Sequence, residues 1–248
     1  MIDETDVPAQ ATAVDREDRV GETTAWPQPV SPPTDDPSER VDLPSGNLSS
    51  DQATALLVGW VGAARVRHEA DAVERLVRLC EYLPLTVSLA AALLRADTTR
   101  AVADLACDLG RTRDRLPGQD ASALAVAATF EVSYRDLSAG RQRLLRYLGL
   151  HPGPDFDVYA AGALGNLTLV HARQGLADLR DRRLLTATAT TGRYRLPAPI
   201  ADHVGQLAST EPAVSRNAAL DRLRDCGQEA ARVRRLPADP SVARRRTS

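Results

Sequence analysis

The side chains from which any chemistry in this 248-residue sequence would have to be built are four histidines, three cysteines and 31 basic residues. Every one of those basic residues is arginine, and no lysine occurs. A Walker A phosphate loop needs the lysine as the point charge that reaches the β and γ phosphates, so that loop is excluded here, as is any Schiff-base mechanism. Cys80, Cys107 and Cys226 are 27 and 119 residues apart, too far for zinc or CxxC chemistry by local spacing. They read as small hydrophobes in a reducing compartment. His68, His151, His171 and His203 are scattered, and none forms an HExxH pattern or pairs with another ligand type at metal spacing. No serine sits in a GxSxG elbow. Gly162-Ala163-Leu164-Gly165 lacks the preceding strand of a dinucleotide loop and reads as the end of a helix. No metal, cofactor or catalytic residue is expected, and the chain is not expected to be an enzyme.

Charge is distributed unevenly along the chain. Residues 1–45 carry 11 acidic against 3 basic side chains and 7 of the 16 prolines, with few large aliphatics to offset ordering entropy. A disordered, acidic, proline-rich tail is expected there. The remaining 203 residues carry 28 arginines against 22 acids, so a near-neutral total conceals a mildly basic body. Residues 209–248 read as a C-terminal helix followed by a basic tail ending in Arg244, Arg245 and Arg246. No apolar run approaches the roughly 20 residues that span a bilayer, and a cytoplasmic location is expected.

The elements between these ends follow from helical periodicity. Ser49 or Ser50 can cap a helix with Leu56, Leu57, Trp60, Val61 and Ala64 on one stripe. A second runs from about Glu69, and a third starts at Pro84, acceptable at a first helical position. Thr98 or Thr99 is expected to cap a fourth, and Ser122 to open a fifth that ends near Tyr134. A helix from Ser138 to Gly149 is stopped by His151-Pro152-Gly153-Pro154, and two short helices follow at about 157–164 and 168–180. Alternating threonines over 184–190, a turn at Thr191-Gly192 and a return through Arg193 to Leu196 make the one hairpin. The fold expected is mainly α: a helical bundle over 46–117, then a winged-helix unit with one β-hairpin over 118–208.

From about Arg40 to Val204 the residues resemble the two helical parts, ARC1 and the winged-helix ARC2, of the NB-ARC branch of the STAND signal-transduction ATPases. The resemblance rests on four stretches in order: Leu48-Ser49-Ser50-Asp51-Gln52-Ala53, then Leu76 to Leu85 at the GLPL motif, Phe130-Glu131-Val132-Ser133-Tyr134-Arg135-Asp136-Leu137-Ser138, and Leu148 to Phe156. The resemblance as a whole, from about Arg40 to Val204, covers about two thirds of the chain. The resemblance implies that Pro84 lines the adenine side of a nucleotide pocket. It also implies departures. Glu81 and Tyr82 replace the GLPL glycines, no phosphate-loop domain is expected upstream of Arg40, and Pro197 and Ala198 stand where a sensor histidine and aspartate are usual. Proline supplies neither an imidazole nor a backbone donor.

The function expected is that of a non-catalytic regulatory module, a shortened NB-ARC relative acting through a protein partner in transcriptional regulation, with ATP hydrolysis lost and residual ADP or ATP binding not expected. That partner could be a chain carrying the phosphate loop, which would make this the nucleotide-binding half of a split STAND ATPase. The other alternative is a DNA-binding winged-helix regulator. In that case Arg173, Arg180, Arg182 and Arg183, on or just after the third helix of the unit, would face the major groove, with Asp178 and Asp181 working against them.

Overall fold

A computed structural model describes residues 46–118 and 120–235, without the side chains of 230–235. The acidic segment 1–45 and the terminal arginines lie outside the described residues. Eleven helices occur among those described: α1 Ser50–Val61, α2 Ala63–Val66, α3 Ala70–Leu79, α4 Pro84–Ala96, α5 Val102–Arg115, α6 Ala121–Arg135, α7 Ala139–Leu148, α8 Val158–Gly165, α9 Leu169–Asp181, α10 Ala198–Ser209 and α11 Ala213–Arg235. Three short strands complete the fold: β1 Phe156–Asp157, β2 Thr186–Ala187 and β3 Arg193–Arg195. The protein is therefore mainly α. None of these helices is long and apolar enough to cross a membrane.

Most helix starts are local events. Ser49 closes a full capping box: its hydroxyl accepts the Gln52 N–H at 3.2 Å and the Gln52 side chain accepts the Ser49 N–H at 2.9 Å. Pro84 is the first residue of α4. Two starts differ from expectation. The N-cap of α5 is Ala101, because Asp97 takes both the backbone N–H (2.9 Å) and the hydroxyl (2.6 Å) of Thr99 into a turn that precedes the helix. The cap of α6 is Asp120, which accepts the N–H of Ser122 at 3.1 Å.

Two apolar clusters organise the described residues. In the first, Leu57 of α1, Leu76 and Val77 of α3, Leu94 of α4 and Leu105 of α5 are fully buried. In the second, Leu144, Leu145 and Leu148 of α7 pack with Phe156, Leu164 and Leu176. Two helices serve both. On α4, Val87, Ala90 and Leu94 face the first cluster and Leu89 the second; on α6, Ala128 and Val132 face the first and Phe130 the second. Arg65 reinforces the first side by donating to the Leu94 carbonyl near the end of α4 and to those of Asp97 and Arg100 in the turn that follows, the last two at 2.8 Å.

From α7 to β3 the order is helix, strand, helix, helix, strand, strand, which is the winged-helix order. The sheet runs β1-β3-β2, antiparallel throughout, pairing Phe156 with Tyr194 and Ala187 with Tyr194 on the other side. Sequence reasoning expected a two-stranded hairpin from residue 184, so β1 is an addition. It exists because Arg193 holds it: the guanidinium donates to the Asp155 carboxylate through Nε (2.6 Å) and to the Asp155 carbonyl (3.0 Å). The first strand is also shorter than expected. Leu184 and Leu185 fold back on α9, both N–H groups donating to the Leu179 carbonyl (2.9 and 3.3 Å), and their side chains are buried in the second cluster.

Candidate functional site

The turn between α3 and α4 carries the residue expected at a nucleotide pocket. Pro84 is buried at the first position of α4, behind a turn in which Glu81 and Tyr82 both adopt left-handed backbone, φ +51° and +53°. Glycine reaches this region without steric penalty, and other residues at a cost of roughly 1–2 kcal/mol each. The conformation that glycines would provide is thus retained without them. Surrounding contacts hold it: the Tyr82 carbonyl accepts the Leu48 N–H at 2.9 Å, the Tyr82 N–H donates to Val77 at 3.2 Å, and Arg113 pairs with Glu81 at 2.7 Å. Thr86 donates its hydroxyl to the Cys80 carbonyl at 2.6 Å, tying α4 back to the end of α3.

Cys80 sits in this turn, fully buried, and burial pushes its thiol up to about 12, with the Thr86 hydroxyl opposing in part. The thiol keeps its proton in the folded chain, which excludes a thiolate nucleophile at neutral pH. In the unfolded chain it ionises near its ordinary value of 9.0. The folded form therefore binds a proton that the unfolded form releases, so stability is complete below about pH 9 and is lost progressively as pH rises toward 12. Denaturant midpoints measured between about pH 8 and pH 11 are expected to fall more steeply for the parent chain than for Cys80→Ala. Identical slopes would show that the buried thiol is not the source.

Pro197 and Ala198 border a different place. Pro197 is the N-cap of α10 and Ala198 its first residue. They line a cleft of about 640 Å³ with Leu148, His151, Phe156 and Arg195, among others, and Pro84 is not among its lining residues. His151 shapes the loop at this cleft. Its Nδ1 lies 3.1 Å from the Gly153 N–H, and its ring meets Phe156 edge-on at 5.7 Å. Pro84 and Pro197 do not line this cleft together.

The four arginines of the DNA alternative separate into distinct environments. Arg173 is exposed on α9. Arg180 is half-buried and lies 3.4 Å from Asp181. Arg182 forms an ion pair with Asp136, just after α6. Arg183, at the end of α9 with φ +60°, lays its guanidinium over the ring of Trp60 on α1, Cζ 3.9 Å from the centroid. Arg182 and Arg183 therefore join α9 to other elements instead of facing outward together. Sequence spacing could not show this, since Asp136 and Trp60 are 46 and 123 residues away. Among the described residues, no group of three His, Cys, Asp or Glu is placed to hold a metal ion.

Comparison with known proteins gives a relative of this region. The Regulatory protein AfsR of Streptomyces griseus is 36% identical over 180 residues, 72% of this chain and 18% of that protein. This chain is related to one segment of a bacterial regulator. A second such protein, AfsR of Streptomyces coelicolor, is 38% identical over 148 residues, 60% of this chain and 15% of its own length. The chain thus spans less than a fifth of the length of the curated relatives it matches. No family model matches it.

Proposed function

We propose that this chain is a non-catalytic regulatory module of the NB-ARC type, working in transcription-related control through contacts with a protein partner. The observation that carries the reading is its 36% identity over 180 residues to a protein named as regulatory. The packing is compatible with it, because α4 and α6 each contribute side chains to both apolar clusters and so join them into one packed body. Proline and alanine at 197 and 198, beside the cleft at the start of α10, support the loss of a nucleotide-sensing side chain. A partner that supplies a phosphate loop remains within this reading, as does a cytoplasmic setting.

Isothermal titration of the chain with ADP and with ATP tests it. No heat of binding is expected at micromolar nucleotide, and no phosphate release. Micromolar affinity with turnover would overturn the reading and make the chain part of a working ATPase.

A further inference from the structure

In the winged-helix order, α8 and α9 are a helix-turn-helix pair, and the outward face of α9 has a distinctive chemistry. Four large apolar side chains are exposed among the described residues, and three belong to this pair: Tyr159 (56%), Leu169 (42%) and Val170 (60%). Scattered apolar groups on a surface are ordinary, but a concentration on one supersecondary unit marks a surface that something covers. Val170, Arg173 and Gln174 are exposed, and Ala177 half-buried, at the 0, 3, 4, 7 spacing of one helical stripe. From Val158 to Ala177 no acidic residue occurs, although the chain contains 33. Thr168 caps the helix, its hydroxyl accepting the His171 N–H at 3.3 Å. The acids that follow are both engaged, Asp178 with Arg141 at 2.6 Å and Asp181 with Arg180 at 3.4 Å. Their repulsion of an anion is muted, and Arg173 is the exposed cation of the stripe.

We propose that the first two turns of α9 enter the major groove of duplex DNA, with Val170, Arg173 and Gln174 meeting base edges. In helix-turn-helix proteins the N-terminal residues of the second helix are the ones that reach the bases. Arginine matches guanine O6 and N7 in a bidentate fork, glutamine matches adenine N6 and N7, and an apolar side chain packs on a thymine methyl. The positive end of the helix dipole lies at the same, N-terminal end of α9 as these side chains and favours nearby phosphates. A polyanion also fits the absence of acids better than a second copy of this chain does. A two-fold contact through this face would set Arg173 near its own equivalent, with no carboxylate on the stripe to receive either. The interface lies at the opposite end of α9 from Arg182 and Arg183, which are held on Asp136 and Trp60. The inference goes beyond the protein-partner reading above, and nucleotide titration does not bear on it.

The test uses the full chain with Arg244, Arg245 and Arg246 changed to alanine, so that the terminal arginines cannot supply nonspecific phosphate binding. Selection from a randomised duplex pool is followed by fluorescence anisotropy on the selected duplex and a scrambled one at about 100 mM salt. Enrichment of a sequence containing guanine and adenine in neighbouring positions is expected. Arg173→Ala and Gln174→Ala should each weaken binding by roughly 5- to 150-fold and relax the preference at one base pair, without changing the melting temperature. Val170→Glu, which places a carboxylate at the centre of the face, should abolish binding. A pool that does not enrich, or affinity that is indifferent to these three substitutions, overturns the proposal. So does concentration-dependent self-association that Val170→Glu removes while duplexes go unbound, because the face would then belong to a second copy.

Discussion

Replacing Leu145 by alanine is expected to lower the unfolding free energy by about 2–5 kcal/mol, the usual range for a leucine emptied from a packed core. A domain of ordinary stability has only about 5–15 kcal/mol to lose. Leu145 has no exposed surface, and its neighbours Leu144, Leu148, Phe156, Leu164 and Leu176 belong to α7, β1, α8 and α9. The cluster joins all four elements, so emptying one of its leucines weakens their shared packing. For a body of this size, about 2–4 °C in melting temperature accompanies each kcal/mol, so a fall of roughly 4–20 °C is expected in a thermal melt. Val214→Ala, at a position 80% exposed, should move the midpoint by little. Equal melting of the two variants would show that the second cluster does not hold the winged-helix unit together.

Gly149→Ala is expected to be the next most damaging, although it adds a single methyl group. A Cβ at this position would meet Val204 Cγ1 at 2.8 Å and the Val204 carbonyl oxygen at 2.9 Å, with the Arg146 carbonyl at 3.2 Å. Two of those atoms are backbone, so relief requires α10 to move away from the end of α7, at a cost of about 1–3 kcal/mol. The φ of Gly149 is −64°, so the requirement is for space and not for an unusual backbone. Gly205 on α10 is the control, because a Cβ there meets nothing within 4 Å. Gly205→Ala should be neutral or stabilise by up to about 1 kcal/mol through helix propensity. Opposite signs for the two substitutions in a urea titration are the expected result, and matching signs would mean that α10 does not approach Gly149 as described.

Part of the winged-helix region could be read from its residues. Leu144, Leu145 and Leu148 announce an apolar stripe by spacing alone, and His151-Pro152-Gly153-Pro154 announces its end. Helix caps were legible where the capping atom is the first hydroxyl in the stretch, as at Ser49. They differ where a nearby aspartate takes the hydroxyl residue: Asp97 holds Thr99 in a turn before α5, and Asp120 is itself the cap of α6, accepting the Ser122 N–H. The candidate site was less legible. Four arginines close in sequence look like one basic cluster, yet ion pairing, an aromatic face and solvent divide them. An exposed apolar residue beside a missing run of acids was the available signal for the first turns of α9, and it carries weight only once exposure is known.

By itself the sequence determined the mainly helical class, most helix positions, the wing hairpin and the lack of a Walker A lysine, because each depends on residues within about one or two turns of one another. Only the tertiary structure decided that Phe156 and Asp157 form a strand, since that pairing closes a loop to residues 193 and 194 and needs Arg193 to hold Asp155. It also decided that Glu81 and Tyr82 keep a left-handed turn without glycine, supported by Leu48 and by Arg113. The same holds for α9, where Arg182 and Arg183 are held on Asp136 and Trp60 brought to them by packing, while Val170, Arg173 and Gln174 stay exposed. A side chain's partners across the fold are set by which surfaces are buried together, and no spacing along the chain encodes that directly.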